Sequence, residues 1–231
     1  DEFIQFLNPV YKAISLTKKD LDKTPLIGFS GAVWTLFSYL IQGQGSKDYL
    51  KAKAFAIERR SETKQIINIF TQAIITHLKH QIKSGCEIVK IFDSWAGILP
   101  DEMLQEMVIE PTSIIVSEIK KEFPDVKIIC FPKGINNHDK FLTKVKADCL
   151  AVDYCFPLNE AKHLYEKHNV TIQGNLDPAY LVIDDLKLLE GEIKRIICSF
   201  KGIPHIFNLG HGVTPESKIN NVEFLVGMLQ N

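Results

Sequence analysis

The sequence predicts an α/β fold on a parallel sheet, a (β/α)8 TIM barrel of which residues 1–231 carry about six strand-helix units. Three observations lead there. Short apolar runs alternate six times with helical patterns, which is the rhythm of parallel strands joined by helices. No hairpin signal joins one run to the next. Polar or glycine-rich residues follow nearly every run, as at the carboxyl ends of barrel strands. A six-stranded open sheet is the alternative, but it would gather its polar turns at one crevice, where strand order reverses. The whole chain is read as a single domain.

The elements follow in order. Ile4, Leu7, Val10, Tyr11 and Ile14 keep a helical period within Asp1 to Leu16, which lacks a starting methionine. An upstream portion is therefore expected. Pro25 to Phe29 reads as a buried strand, turning at Ser30-Gly31-Ala32. Trp34, Leu36, Phe37, Leu40 and Ile41 make an apolar helix that breaks at Gly43-Gln44-Gly45. Lys47 to Lys83 is helical, with a corner at Glu58 to Glu62. Strands are expected at 87–92, 126–131, 149–154, 170–173 and 205–209. Helices are expected at about 101–123, 138–145, 159–168, 181–200 and 215–229.

Composition narrows the function. The chain is 45% hydrophobic with a formal net charge of −1, ordinary for a globular protein and unlike a nucleic-acid binder with its basic stripe. No apolar run approaches a membrane span, and the first residues do not form a signal peptide. A cytoplasmic protein without nucleic-acid or membrane partners is expected. Five cysteines, odd in number and without CxxC spacing, several of them in apolar runs, read as reduced, buried thiols. His77 with His80, and His163 with His168, lie on helices without carboxylates at metal-ligand offsets, so no metal is expected. Gly43-Gln44-Gly45-Ser46 follows a helix instead of a strand and reads as a corner, not a phosphate loop.

In a barrel the strand-end residues converge on one mouth. Here they include Ser30 and Tyr39, Asp93 and Ser94, Lys133, Asp153 and Tyr154, Gln173, Asn175 and Asp177, then Asn208 and His211. Each has a plainer reading. Asp177 before Pro178 is a good helix N-cap. Asp153 can accept from loop amides, Ser94 can cap a turn, and Lys133 can be a solvated loop lysine. His211 lies between two glycines, with few local neighbours for its ring, and reads as a site residue.

Four blocks carry a resemblance. Gly28 to Ser46, GFSGAVWTLFSYLIQGQGS, is similar to a block of the uroporphyrinogen decarboxylase family, with Val33 where proline is common and Gln44 where glycine is common. IFDSWAGILP (91–100) is similar to a second block. Gln173 to Pro178, QGNLDP, and His205 to Gly212, HIFNLGHG, match two more without change. The order is right and the blocks span nearly the whole chain. The resemblance implies a (β/α)8 barrel, usually a homodimer, that removes carbon dioxide from the four acetate arms of uroporphyrinogen in heme synthesis without metal or organic cofactor. It places the family's active-site tyrosine on Tyr39, its serine on Ser94 and its histidine on His211. The family's R-Q-A-G-R-Y block and the aspartate that holds the pyrrole N–H groups find no match in these residues. The 231-residue chain by itself is therefore expected to show little turnover.

On this resemblance Tyr39, Ser94 and His211 line the mouth and hydrogen-bond acetate or propionate groups, with Ser30, Lys133 and Asp153 as further substrate-binding candidates. Gly210 and Gly212 would let the planar ring approach the backbone. Two rivals stand beside this. A corrinoid-dependent methyltransferase would carry a zinc-binding H-x-C, but Ile128-Ile129-Cys130 lacks the histidine and His211 stands where a second cysteine is expected. A non-catalytic tetrapyrrole binder or dimer scaffold follows if the chain truly starts at Asp1.

Overall fold

The computed structural model describes residues 2–230. Asp1, where the sequence reading begins its first helix, lies outside the described residues. Two compact units divide the chain, one up to Asp148 and one from Cys149 onward.

In the first unit, strands β1 (Ile27–Gly31), β2 (Ile88–Asp93) and β3 (Lys127–Pro132) pair in parallel and in chain order. Helix α1 is Glu2–Asp20, and α2 (Val33–Gln42) follows β1. Then come α3 (Leu50–Glu58) and α4 (Arg60–Lys83), divided by Arg59 within the expected corner. After β2 the chain forms α5 (Asp101–Leu104), a π turn (Gln105–Ile109) and α6 (Glu110–Glu122), and α7 (His138–Lys144) follows β3. In the second unit, β4 (Cys149–Ala151), β5 (Thr171–Leu176) and β6 (His205–Leu209) are likewise parallel and sequential. Their helices are α8 (Ala161–His168), α9 (Leu186–Ser199) and α10 (Ile219–Gln230).

The fold is thus α/β, with sequential parallel strands and helical crossovers. Neither unit contains the order reversal of a doubly wound sheet. Among the described residues, no helix is long and apolar enough to cross a membrane.

Alternation along the strands decides what packs. In β1, Gly28 and Ser30 are buried while Ile27 and Phe29 are exposed. A Cβ on Gly28 would meet the Gln81 Oε1 at 2.4 Å and the Cys86 Sγ at 2.8 Å, so α4 covers the Gly28 face. Trp34 and Phe37 of α2 and Ile74 and Leu78 of α4 fill the first core, each almost wholly buried. Each such side chain contributes about 1.5–3 kcal/mol. Leu150 and Ile172 meet the same need in the second unit, with Leu164, Leu189, Ile193 and Ile196 from its helices.

Gln81 holds the outer edge of β1. Its Oε1 accepts from the Phe29 N–H at 2.9 Å, and its Nε2 donates to the Phe29 carbonyl at 2.8 Å. One buried side chain thus satisfies both backbone groups of an edge residue. Gln81→Leu, close in size but without the amide, is expected to cost about 2–3 kcal/mol. Urea unfolding measures this, and a change within 0.5 kcal/mol, roughly the level of an ordinary surface substitution, would contradict the edge-holding role.

Candidate active site

In the first unit the site is built where the three strands end. The Ala32 N–H donates to the Phe92 carbonyl at 2.8 Å, and the Lys133 N–H donates to the Asp93 carbonyl at 3.0 Å. The Gly97 N–H donates to the Lys133 carbonyl at 2.9 Å. The turns after β1, β2 and β3 are therefore stitched to one another by backbone bonds. On this base the Trp34 indole donates to the Trp95 carbonyl at 3.0 Å, and the Trp95 indole donates to the Tyr39 hydroxyl at 3.2 Å. The Tyr39 ring stands edge-on to Tyr49 at 5.9 Å, and Tyr49 lies 4.8 Å from Trp95.

Tyr39 is 44% exposed while its hydroxyl is held by the Trp95 indole. Ser94 is half-buried, between Asp93 and Trp95 in the chain. Burial, and then the neighbouring Tyr39 hydroxyl, push the Tyr49 hydroxyl above the usual tyrosine range. Lys133 is half-buried on the loop after β3.

Ser30 stands apart from this group. It is buried on the same side of β1 as Gly28, and its hydroxyl donates to the Gly31 carbonyl at 3.0 Å. The expected turn at Ser30-Gly31-Ala32 comes later than the sequence suggests, because β1 runs on through Gly31.

Asp93 is the residue that sequence reasoning weighed least. It is buried, its Oδ1 accepts from the Thr35 hydroxyl at 2.7 Å, and the Trp95 backbone N–H also reaches its carboxyl. Its Oδ2 is buried without a partner. Burial pushes the acid from its ordinary 3.8 up to about 7, against the lowering effect of the Thr35 hydroxyl and the Trp95 amide.

A carboxyl raised in this way makes its full contribution to stability below the unfolded value, near pH 4. It loses that contribution as pH rises through 7. Above pH 7 the deficit is about 4 kcal/mol. Asp93→Asn removes it. The stability advantage of the variant is expected to grow from near zero at about pH 4 to a plateau above about pH 7.5. Urea unfolding of variant and parent across this range checks it, and an advantage that does not change with pH would contradict the assignment.

In the second unit the ends of β4 and β5 are similarly tied. The Asp153 Oδ1 accepts from the Cys155 N–H at 2.8 Å, so Asp153 does serve the loop amides. The Asn175 Nδ2 donates to the Asp153 carbonyl at 3.1 Å and the Phe156 carbonyl at 3.3 Å. Gly210 donates its N–H to the Leu176 carbonyl at 2.7 Å. A Cβ at Gly210 would come within 2.2 Å of the Tyr154 nitrogen. This glycine is therefore demanded by the Asp153-Tyr154 backbone, whereas a Cβ on Gly212 would meet nothing within 4 Å. His211 is exposed between them, carried next to the Asp153-Tyr154 turn. The Asp177 carboxylate accepts from the Ala179 N–H at 2.9 Å, as an N-cap does.

Trp95, Thr35 and Tyr49 were not singled out from the sequence as site residues. The signal for Trp95 lay inside the quoted IFDSWAGILP block, whereas Thr35 and Tyr49 enter only through three-dimensional contacts. None of the five cysteines forms a disulfide; Cys86, Cys130 and Cys149 are buried as expected, but Cys155 and Cys198 are exposed, against the expectation of buried thiols. Among the described residues, no cluster of three or more His, Cys, Asp and Glu side chains is placed to hold a metal ion.

A family model described as Uroporphyrinogen decarboxylase (URO-D) matches residues 1–231. The uroporphyrinogen decarboxylase of Rickettsia bellii is 45% identical over 222 residues, covering 95% of this chain and 64% of that protein. The Rhodobacter capsulatus protein of the same name is 39% identical over 228 residues, covering 98% of this chain and 66% of its own length. The chain thus spans a little under two thirds of these relatives. Among solved structures, a methyltransferase from Methanosarcina mazei superposes with a TM-score of 0.75 at 17% identity, covering 94% of this chain and 62% of that one. At that identity the likeness is one of fold.

Proposed function

The chain belongs to the uroporphyrinogen decarboxylase family, and from that premise we propose that its protein removes the acetate carboxyl groups of uroporphyrinogen III as carbon dioxide, giving coproporphyrinogen III. The observation that carries this is the Trp95-to-Tyr39 hydrogen bond at the ends of β1 and β2. It ties the tyrosine of one family block to the tryptophan that follows the serine of another in the chain. The His211 block is intact as well.

An acetate on a pyrrole cannot lose carbon dioxide directly, because the electron pair left behind has no sink. Protonating the pyrrole ring supplies one. The C–C bond then breaks and its electrons return to the ring as carbon dioxide leaves. A proton delivered to the exocyclic methylene carbon completes the methyl group, and the ring releases the proton it first took up, so that one proton is consumed for each carbon dioxide released. The protein must therefore hold the ring, orient one acetate and move protons at a defined place.

In this reading the Tyr39 and Ser94 hydroxyls hydrogen-bond substrate carboxylates. His211, when protonated, pairs with another through a charge-assisted bond. Lys133 adds a cation from the loop after β3. Ser30 and Asp153 act through the turns they hold. The chemistry needs no metal or organic cofactor. The protein works in the cytoplasm as a homodimer, which sedimentation equilibrium would test.

Expression of the gene in a strain lacking uroporphyrinogen decarboxylase tests the function. Restored growth without added heme is expected. Accumulation of folded protein without growth would overturn the reading.

A further inference from the structure

We propose that Asp93 is a positioning residue whose buried carboxyl clamps α2 to the loop after β2 and so fixes where Tyr39 and Ser94 stand. The functional part of this rests on the decarboxylase reading. Asp93 ends β2, and alternation sends its side chain to the opposite face from Lys90 and Phe92. There it meets Thr35 in the first turn of α2, at 2.7 Å, and the backbone N–H of Trp95 in the loop. These donors belong to two different elements.

Tyr39 lies four residues after Thr35 on α2, hence on the same helix face, and its hydroxyl accepts from the same Trp95 at 3.2 Å. Ser94 sits between two pinned neighbours. A closed circuit therefore runs from Thr35 to Asp93, to Trp95, to Tyr39 and back along one turn of α2, with the Trp34 indole bracing the Trp95 carbonyl.

The setting is costly for an acid. The Oδ2 is unpartnered, and the gap beside it among Ala32, Val108, Thr112, Cys130 and Phe141 is too tight for a water molecule. A carboxyl kept in such a place, against the demands of the core, marks a site where geometry outranks stability.

The test compares Asp93→Ala, Asp93→Asn and Thr35→Val in the intact protein by two readouts. Trp34 is wholly buried and Trp95 half-buried, so of these two tryptophans iodide reaches chiefly Trp95. Quenching is expected to rise about twofold in Asp93→Ala and Thr35→Val as the clamp opens, and to stay at the parental level in Asp93→Asn, which keeps the acceptor. In kinetics with uroporphyrinogen, Asp93→Ala is expected to raise KM about tenfold, and Asp93→Asn to bring it back to within about threefold of the parent.

A merely structural anchor would lower the amount of active protein and leave KM alone. Unchanged quenching and KM in a folded Asp93→Ala protein would overturn the proposal, as would an Asn variant no better than Ala. Should Asp93→Ala fail to fold, Thr35→Val decides by the same criteria. If the parent does not turn over uroporphyrinogen, the functional reading fails by itself, and the quenching series still decides the clamp.

Discussion

Gly97→Ala is expected to destabilise the protein by about 2–4 kcal/mol, the range for a forced steric overlap in a packed interior. A Cβ at position 97 would lie 2.2 Å from the Gly134 carbonyl oxygen and 2.4 Å from its carbon. These are backbone atoms and cannot rotate away. Gly134 itself is left-handed, at φ +77°, so the loop has little room to yield. The same contact carries the Gly97-to-Lys133 backbone bond. The loops after β2 and β3 should therefore loosen together, taking Ser94 and Lys133 with them.

The contrast is Gly191→Ala in α9, where a Cβ would meet nothing within 4 Å. There the substitution should stabilise by about 0.5–1 kcal/mol, through helix propensity and unfolded-state entropy. Urea midpoints of the two variants read out both effects. Equal effects would contradict the packing argument.

The second large effect falls on activity. His211→Ala is expected to lower kcat/KM for uroporphyrinogen by about 100-fold or more, the scale of a lost proton-transfer or charge-assisted group. The exposed position of His211 leaves the core untouched, so the variant should keep the parental unfolding midpoint. Tyr39→Phe keeps the ring against Tyr49 and removes only the hydroxyl that Trp95 presents. It should lose about tenfold. His211→Ala activity within twofold of the parent would remove that residue from the site.

The strand-helix rhythm was legible because apolar runs and helical periods do not interfere with each other, and all six strands stand where they were expected. Boundaries failed where a glycine has a reason other than a turn. Gly174-Asn175 looks like a turn signal, yet β5 runs through it to Leu176. Gly174 has φ +139°, and a Cβ there would press the Val152 carbonyl at 2.7 Å. The glycine serves a close backbone approach between neighbouring strands.

β4 stops at Ala151, three residues short of expectation, and Asp153 beyond it turns the chain by capping Cys155. The π turn at Gln105–Ile109 leaves no mark in a 3.6-residue pattern. Gly210 was read as a site for ring approach, but the backbone of Tyr154 requires it for packing.

Among the candidate site residues, Tyr39, Ser94 and His211 could be singled out because they are polar residues in recognisable blocks. Asp93 was visible as a strand-end acid, but its value lies in Thr35 and Trp95, whose contacts with it exist only once the helix and loop are folded.

The most direct measurement is anaerobic incubation of the protein encoded by the gene with uroporphyrinogen III. Released carbon dioxide and the porphyrins recovered after oxidation are then quantified. The account predicts four carbon dioxide molecules for each coproporphyrinogen formed, with hepta-, hexa- and pentacarboxyl intermediates between. Substrate recovered with all eight carboxyl groups, from protein shown to be folded, would contradict it.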